Sequence, residues 1–460
     1  MFDDLRGFIE HINQEGEVVT VTEALSVKYE IAAAIKGISE KDGRVALFNN
    51  VKDYPGTIVG NLLGSKRRLA MAMGVDETAL SETYSSRRKN LIKPSVIEGG
   101  PIKENIISKD LDILKTLPVL THHEKDMGPY FTSGVIISKD PETGARSMGI
   151  HRILVRAPRG LGIFVNSPPL SNFLENAEKK GVPLEIAVVL GQDPITFFSS
   201  VVWAPEGIDK FSIAGALARR PVSLVKCESV DLEVPAHAEF VLEGRILPGE
   251  RLTEGPFGES TGYYLTYNNP VAEIQVITHR NQPVYNALMP FAGEDEVLLD
   301  FSWGLENKHV FLESISGLKD LRLRYIGLMA VAQVKKRDEK DGQRIIRALM
   351  DCGMPNKVII AVDEDVDIQS DRDIWWAIAT RFQPDRDTII KSNMPGLSID
   401  PSTMLRETVS SGVKTLITET SKIGIDATKP LSDVDKFEKI RVPPDVAERV
   451  EKILAGMGLK

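Results

Sequence analysis

The chain has 460 residues, 42% of them hydrophobic and 26% charged, and carries a formal net charge of -9. That length is too great for one core and points to two or three domains of an ordinary globular enzyme, while the acidic balance gives no basic field for nucleic acid. No run of about 18 apolar residues occurs, and MFDDLRGFIEHINQEGE has no basic region leading into an apolar one, so neither a membrane span nor a signal peptide is expected and the expected location is the cytoplasm.

In chain order, residues 1–112 alternate helix and strand patterns: a helix over 29–39, a strand RVALF at 44–48, TIVGN ending at Asn61, and a helix opening at Ser65. This reads as a small α/β domain. From 113 to 318 β-branched runs broken by Gly and Pro dominate (SGVIIS, RILVRA, IAVVLG, VSLVKCESV, AEIQVITH, VYNALM), with few helices besides one over 171–180, which predicts a barrel or folded sheet. From 319 to 460 alternation returns. IGLMAVAQV and KVIIAVDEDVDI read as strands, and residues 341–352 and 371–381 as helices, a second α/β layer in which Gly353 stops the first helix. The last helix, PPDVAERVEKILAGMG, carries Val446, Val450, Ile453 and Leu454 as an apolar stripe suited to another subunit.

Cys227 and Cys352 have no CxxC partner and read as small buried hydrophobes. His122 and His123 are adjacent, without the spacing of a helical zinc site, and read as loop residues; the acids of DEDVD, 363–367, read as a charged strand end. Walker, Rossmann and nucleophile-elbow motifs are absent from the sequence. The chemistry concentrates in TEGPFGESTGYY, 253–264, where Glu254 and Glu259 flank Gly-Pro-Phe-Gly. A turn there either brings the two carboxylates to one space, where they push their proton affinities apart and leave one able to donate near neutrality, or leaves them as two solvated acids bordering a hairpin. In SMGIHR, 147–152, strand alternation sends His151 and Arg152 to opposite faces, with Arg152 either a carboxylate anchor or a surface cation. Lys422, in the polar stretch TSKIGID read as a turn, is a candidate point charge for a phosphate.

EGPFGESTGYY at 254–264 closely resembles the hallmark of the UbiD-like decarboxylases. MGIHR at 148–152, VKCESVDLEVPAHAEFVLEG at 225–244, VDEDVDI with DIWWAIATR at 362–381, and SKIGIDAT at 421–428 resemble that family in the same order. The resemblance implies a three-part subunit: an N-terminal α/β domain, a central split β-barrel related to flavin reductases, and a C-terminal α/β domain through which a dimer or hexamer assembles. It implies a reversible carboxy-lyase acting on an aromatic, heteroaromatic or α,β-unsaturated carboxylic acid with release of carbon dioxide. The cofactor is prenylated FMN, made by a separate flavin prenyltransferase. The family's glutamate–arginine–glutamate network falls on Glu254, Arg152 and Glu259, with Glu259 as proton donor. Flavin contacts fall on Ile150, His151 and Arg152 and on Ile163, Phe164 and Val165, and the phosphate lysine on Lys422. The loop FAGEDEVLLDFSWG, 291–304, is expected to line the pocket, its acids disfavouring a second substrate carboxylate.

The chain departs from the family at the divalent metal (Mn, Mg or Fe, with potassium beside it) that usually joins protein to flavin phosphate. Its Asn, His and Glu positions fall on Ser147, on the His-free stretch NSPPL at 166–170, and on Lys210. Lys210 with Lys422 is the expected substitute, because a cation in place of a carboxylate-bound cation preserves the charge. The alternative reading is a non-catalytic subunit of a multi-subunit carboxylase that has lost metal and flavin.

Overall fold

The computed structural model describes residues 2–205, 207–410 and 413–457. Helix Lys66–Met73 begins where its sequence signal places it, with the Ser65 side chain accepting from the Arg68 amide. Strands Val18–Val21, Val45–Phe48 and Thr57–Gly60 form one small sheet, but its remaining strand, Val284–Ala287, comes from far downstream and pairs parallel with Thr57–Gly60. The N-terminal sheet is therefore stitched to the central part. Two helices, Pro194–Val201 and Lys210–Ala218, carry no clear periodic signal because they are buried on nearly every side: residues 194 to 200 and 211 to 218 are all buried.

The central sheet explains how the cleft arises. Its strand path runs Tyr130–Phe131, Ile153–Val155, Gly160–Ile163, Tyr264–His279, Phe240–Gly258, Leu184–Leu190, Val135–Lys139, Arg146–Ile150, with Asn105–Ile107 paired to Tyr264–His279 beside it. Arg146–Ile150 and Ile153–Val155 lie at opposite ends of that path, yet only His151 and Arg152 separate them in the chain. Tyr130–Phe131 and Val135–Lys139 likewise sit near opposite ends, with residues 132–134 between them. Two such short connections are possible only if the sheet curls until its ends meet, which makes a half-barrel whose seam holds 132–134 and 151–152. The seam is tied where the His151 amide donates to the Gly134 carbonyl at 3.1 Å.

In the C-terminal part, Met329–Val334 and Val358–Asp363 are parallel and covered on both sides, which is why they read as continuous apolar runs. Ala330, Ala332, Ile359 and Ala361 pack with Ile345, Ile346 and Leu349 of helix Asp341–Asp351. Val331, Ile360 and Val362 face the other way, onto Ile374 and Ala377 of helix Asp371–Arg381. Asp363 and Asp365 end their strand in ion pairs with Arg381 at 2.6 and 3.0 Å.

Lys422 requires a correction on two counts. The segment read as a turn belongs to strand Val413–Ala427, whose polar residues Thr420, Lys422 and Asp426 face inward. The Lys422 ammonium, only 1% exposed, donates to the Met350 and Met354 carbonyls and to Asn356 Oδ1 at 2.8–2.9 Å, so all three of its protons are spent holding the end of helix Asp341–Asp351. No donor remains for a phosphate. Lys422→Met is expected to leave buried carbonyls unsatisfied and to lower unfolding free energy by about 2–4 kcal/mol, read as a reduced denaturation midpoint.

Candidate active site

The two glutamates come together through an added residue, not through the expected turn. Glu254 lies inside the long strand Phe240–Gly258, opposite Tyr267, while Phe257 lies opposite Leu265. Three steps on one strand against two on its partner mark a β-bulge. Residues five apart on a regular strand point to opposite faces; the extra residue restores even spacing, so Glu254 and Glu259 share a side. Gly255 makes this possible, having φ 111° and space so tight that a Cβ would stand 2.5 Å from the Leu265 carbonyl oxygen.

Arg152, at the barrel seam, reaches both acids. Its Nη2 donates to Glu254 Oε2 at 2.6 Å and its Nε to the same oxygen at 3.2 Å, while Nη1 bonds Glu259 Oε1. Asn269 Nδ2 also donates to Glu254 Oε2, at 2.6 Å. Three of the five guanidinium protons are thus engaged, leaving two for another anion. Phe164, Phe257 and Tyr267 surround the cation, with ring centres 4.4, 5.1 and 5.3 Å from its Cζ. Glu254 is fully buried, and its Oε1 and the Tyr130 hydroxyl have no hydrogen-bond partner among the described residues. Burial first, then the Glu254 charge, hold the Tyr130 phenol above its ordinary pKa, so it stays protonated.

Behind the bulge sits Asp126, which the sequence reading passed over. One of its oxygens accepts from the His122 and His123 amides at 3.1 and 2.8 Å, and the other from the Gly258 amide at 2.9 Å, next to Glu259. The His-His-x-x-Asp spacing, typical of an acid capping the turn before it, was the available signal. His122 is neutral, burial lowering its pKa to about 4. Burial alone would raise the Asp126 carboxyl, but His123 and the Gly258 amide outweigh it and hold the pKa below the ordinary value. Because the folded pKa is the lower one, the stabilisation is complete above the ordinary carboxylate range and fades as pH falls through it. Asp126→Asn should remove most of that acid-side dependence and lower stability at pH 7 by about 1–3 kcal/mol, measured by urea unfolding at pH 7 and pH 4.

The residues expected to touch a flavin divide into two groups around His151. Ile163 is buried and pairs with Ile153; Phe164 and Val165 follow it at the seam, with Ile150 opposite Val135. The Phe164 amide donates to the Arg152 carbonyl at 3.2 Å, and the Phe164 carbonyl meets His151 Nδ1 at 3.1 Å. On the other side, Lys210 is near enough to His151 to add to burial in pulling that imidazole down to about 4. Ser147 is buried, opposite Ser138. Beside Asn269 opens a cleft of about 200 Å³ lined by Val165, Ser171, Arg251 and Asn268 among others.

Loop 291–304 meets the site at one point. Asp295 accepts from the Phe291 amide at 3.0 Å and draws on the Ser260 hydroxyl next to Glu259, whereas Glu294 turns to the Leu63 amide and Asp300 to the Gly327 amide. Cys227 and Cys352 are free and half-buried.

Family models cover most of the chain. The 3-octaprenyl-4-hydroxybenzoate carboxy-lyase N-terminal, Rift-related and C-terminal domains match residues 9–87, 95–292 and 307–427. The chain belongs to the UbiD family. It is accordingly a carboxy-lyase by family, and several of its relatives are named decarboxylases. This UbiD-family chain is 30% identical over 440 residues to anhydromevalonate phosphate decarboxylase of Methanothermobacter thermautotrophicus, covering 95% of this chain and 99% of that protein. The structure of the UbiD-class enzyme HmfF from Pelotomaculum thermopropionicum in complex with FMN superposes with a TM-score of 0.87 at 35% identity, over 96% of this chain and 97% of HmfF. An evolved dimeric form of HmfF, in complex with prFMN, gives 0.83 at 34% identity over the same shares.

Proposed function

We propose that the chain is a reversible decarboxylase of a planar unsaturated acid, aromatic, heteroaromatic or α,β-unsaturated, that works with prenylated FMN. The observation that carries this reading is the buried Glu254–Arg152–Glu259 cluster at the barrel seam, walled by Phe164, Phe257 and Tyr267. A flavin fits the residues present: buried Glu254 Oε1 makes no full hydrogen bond among the described residues, with the Tyr130 hydroxyl beside the Glu254 carboxylate, and the faces of Phe164, Phe257 and Tyr267 suit a planar ring.

Loss of carbon dioxide from an sp2 carbon leaves an electron pair in the molecular plane, where the substrate's own π system cannot spread it. Bound prenylated flavin supplies the electron sink for that pair. The chain's residues do the rest. The two unspent protons of Arg152 orient the substrate carboxylate, and Glu254, itself held by Asn269, keeps the guanidinium in place. Glu259, at the strand end and 7% exposed, delivers the proton to the carbon that has lost its carboxyl and recovers it from solvent. The aromatic walls keep bulk water from the reacting centre. Run with high bicarbonate, the same groups support carboxylation. Exposed Val450, Ile453, Leu454 and Met457 on helix Pro444–Gly456 support assembly into a homo-oligomer through the C-terminal part.

The test is to produce the protein alongside a flavin prenyltransferase, record its visible spectrum, and screen a panel of carboxylic acids for release of carbon dioxide and for exchange of labelled carbon dioxide. A colourless protein without exchange on any acid would sink this reading and favour a non-catalytic subunit.

A further inference from the structure

Among the described residues Lys210 is a cation without an ion-pair partner. It opens helix Lys210–Ala218 after the Asp209 cap, and its ammonium donates at 2.6 Å to the Ser200 carbonyl. Among the described residues no carboxylate stands within ion-pair distance of it. Glu306, whose charge it feels from farther off, is engaged by Tyr84 and, at 3.1 Å, by Arg88. Among the described residues that carbonyl is its one hydrogen-bond partner, so two of its three protons are left to other groups, on a side chain that is only partly exposed. A half-buried ammonium with protons to spare is suited to a charge-assisted hydrogen bond from an anion.

The same place is poorly suited to a divalent ion. Such an ion is usually anchored by at least one carboxylate, imidazole or thiolate, and among the described residues no three His, Cys, Asp or Glu gather anywhere. Of the three positions implied for metal ligands, one falls in the His-free stretch 166–170 and the others are Ser147 and Lys210, a neutral hydroxyl and an ammonium that would repel the ion. His151, the neighbour that feels the Lys210 charge, holds its Nδ1 on the Phe164 carbonyl at 3.1 Å, and Phe164 packs beneath Arg152. Asp209, the residue before Lys210, pairs with Arg146 at 3.3 Å, on the strand Arg146–Ile150 that runs directly into His151 and Arg152, so the ammonium lies on the approach to the glutamate–arginine–glutamate cluster.

We infer that Lys210 grips the phosphate of the flavin directly, in a subsite that works without a divalent metal. The inference rests on the flavin reading above. It assigns Lys210 the charge role that the sequence divided between two lysines, and gives it to the one whose protons are not already spent.

The test compares FMN with riboflavin, which differs only by the phosphate, in fluorescence titrations of the full chain with EDTA present, alongside elemental analysis. The parent should bind FMN on the order of 10- to 100-fold more tightly than riboflavin, the range of a charge-assisted contact, with far less than one divalent ion per chain. Lys210→Met should abolish that preference by weakening FMN alone, Lys210→Arg should keep most of it, and Lys422→Met should keep the ratio whatever it does to stability. An unchanged ratio in Lys210→Met, or a stoichiometric divalent ion whose removal releases FMN, overturns the inference. Equal binding of FMN and riboflavin by the parent sinks it while sparing the flavin reading; binding of neither by the folded parent sinks both.

Discussion

Arg152→Ala is expected to lose activity and fold stability together. Glu254 is fully buried and two of its three hydrogen bonds come from Arg152, the third being from Asn269. Without the guanidinium its charge stays in the interior with one amide for company, and breaking a buried pair in this way costs about 3–5 kcal/mol. The substrate carboxylate loses its anchor at the same time, so turnover should fall by at least about 100-fold. Arg152→Lys separates the two effects. A lysine restores the positive charge and should recover much of the denaturation midpoint, but a single ammonium cannot meet both glutamates and a third carboxylate at fork geometry, so activity should stay low. Denaturant unfolding and steady-state assays on both variants check this; an alanine variant as stable as the parent would mean that the Arg152–Glu254 pair does not support the fold.

Why some of this was legible in the sequence and some was not follows from the physics of particular residues. The C-terminal layer was readable because its strands are apolar on both faces and helix Asp341–Asp351 is strongly one-sided, with Ile345, Ile346, Leu349 and Met350 inward. Helix Lys210–Ala218 was not, since a helix buried on every side has no period to detect. Glu254, Glu259 and Arg152 were singled out through their motifs, but the device that unites the acids was misread. Gly-Pro signals a turn locally, and only pairing with Tyr264–His279 turns it into a bulge inside a strand. Lys422 shows the opposite limit. A lysine among small polar residues looks solvated, and nothing local reveals that Met350, Met354 and Asn356 supply three oxygens around it. Asp126 and Asn269 escaped because each acts on a partner distant in the chain, Gly258 and Glu254 respectively.

Glu259→Gln is expected to split two halves of the reaction that a general loss of function would not separate. The carbon must first part from carbon dioxide and only then take a proton, and the residue assigned the proton has no part in the first event. Glutamine retains the oxygen that accepts from Arg152, so the cluster should stay assembled and the fold intact. It has no acidic proton to give. Net decarboxylation should therefore fall by about 100- to 10,000-fold, the usual contribution of a positioned acid, while exchange of labelled carbon dioxide into the substrate, which needs no proton at carbon, should persist near the parent rate. Glu254→Gln offers the contrast. That residue steadies Arg152, so both exchange and turnover should decline together. If exchange and turnover fell in parallel in Glu259→Gln as well, Glu259 would be another support for the arginine, and the proton would have to come from another group beside Glu254, with the buried, protonated Tyr130 the first candidate.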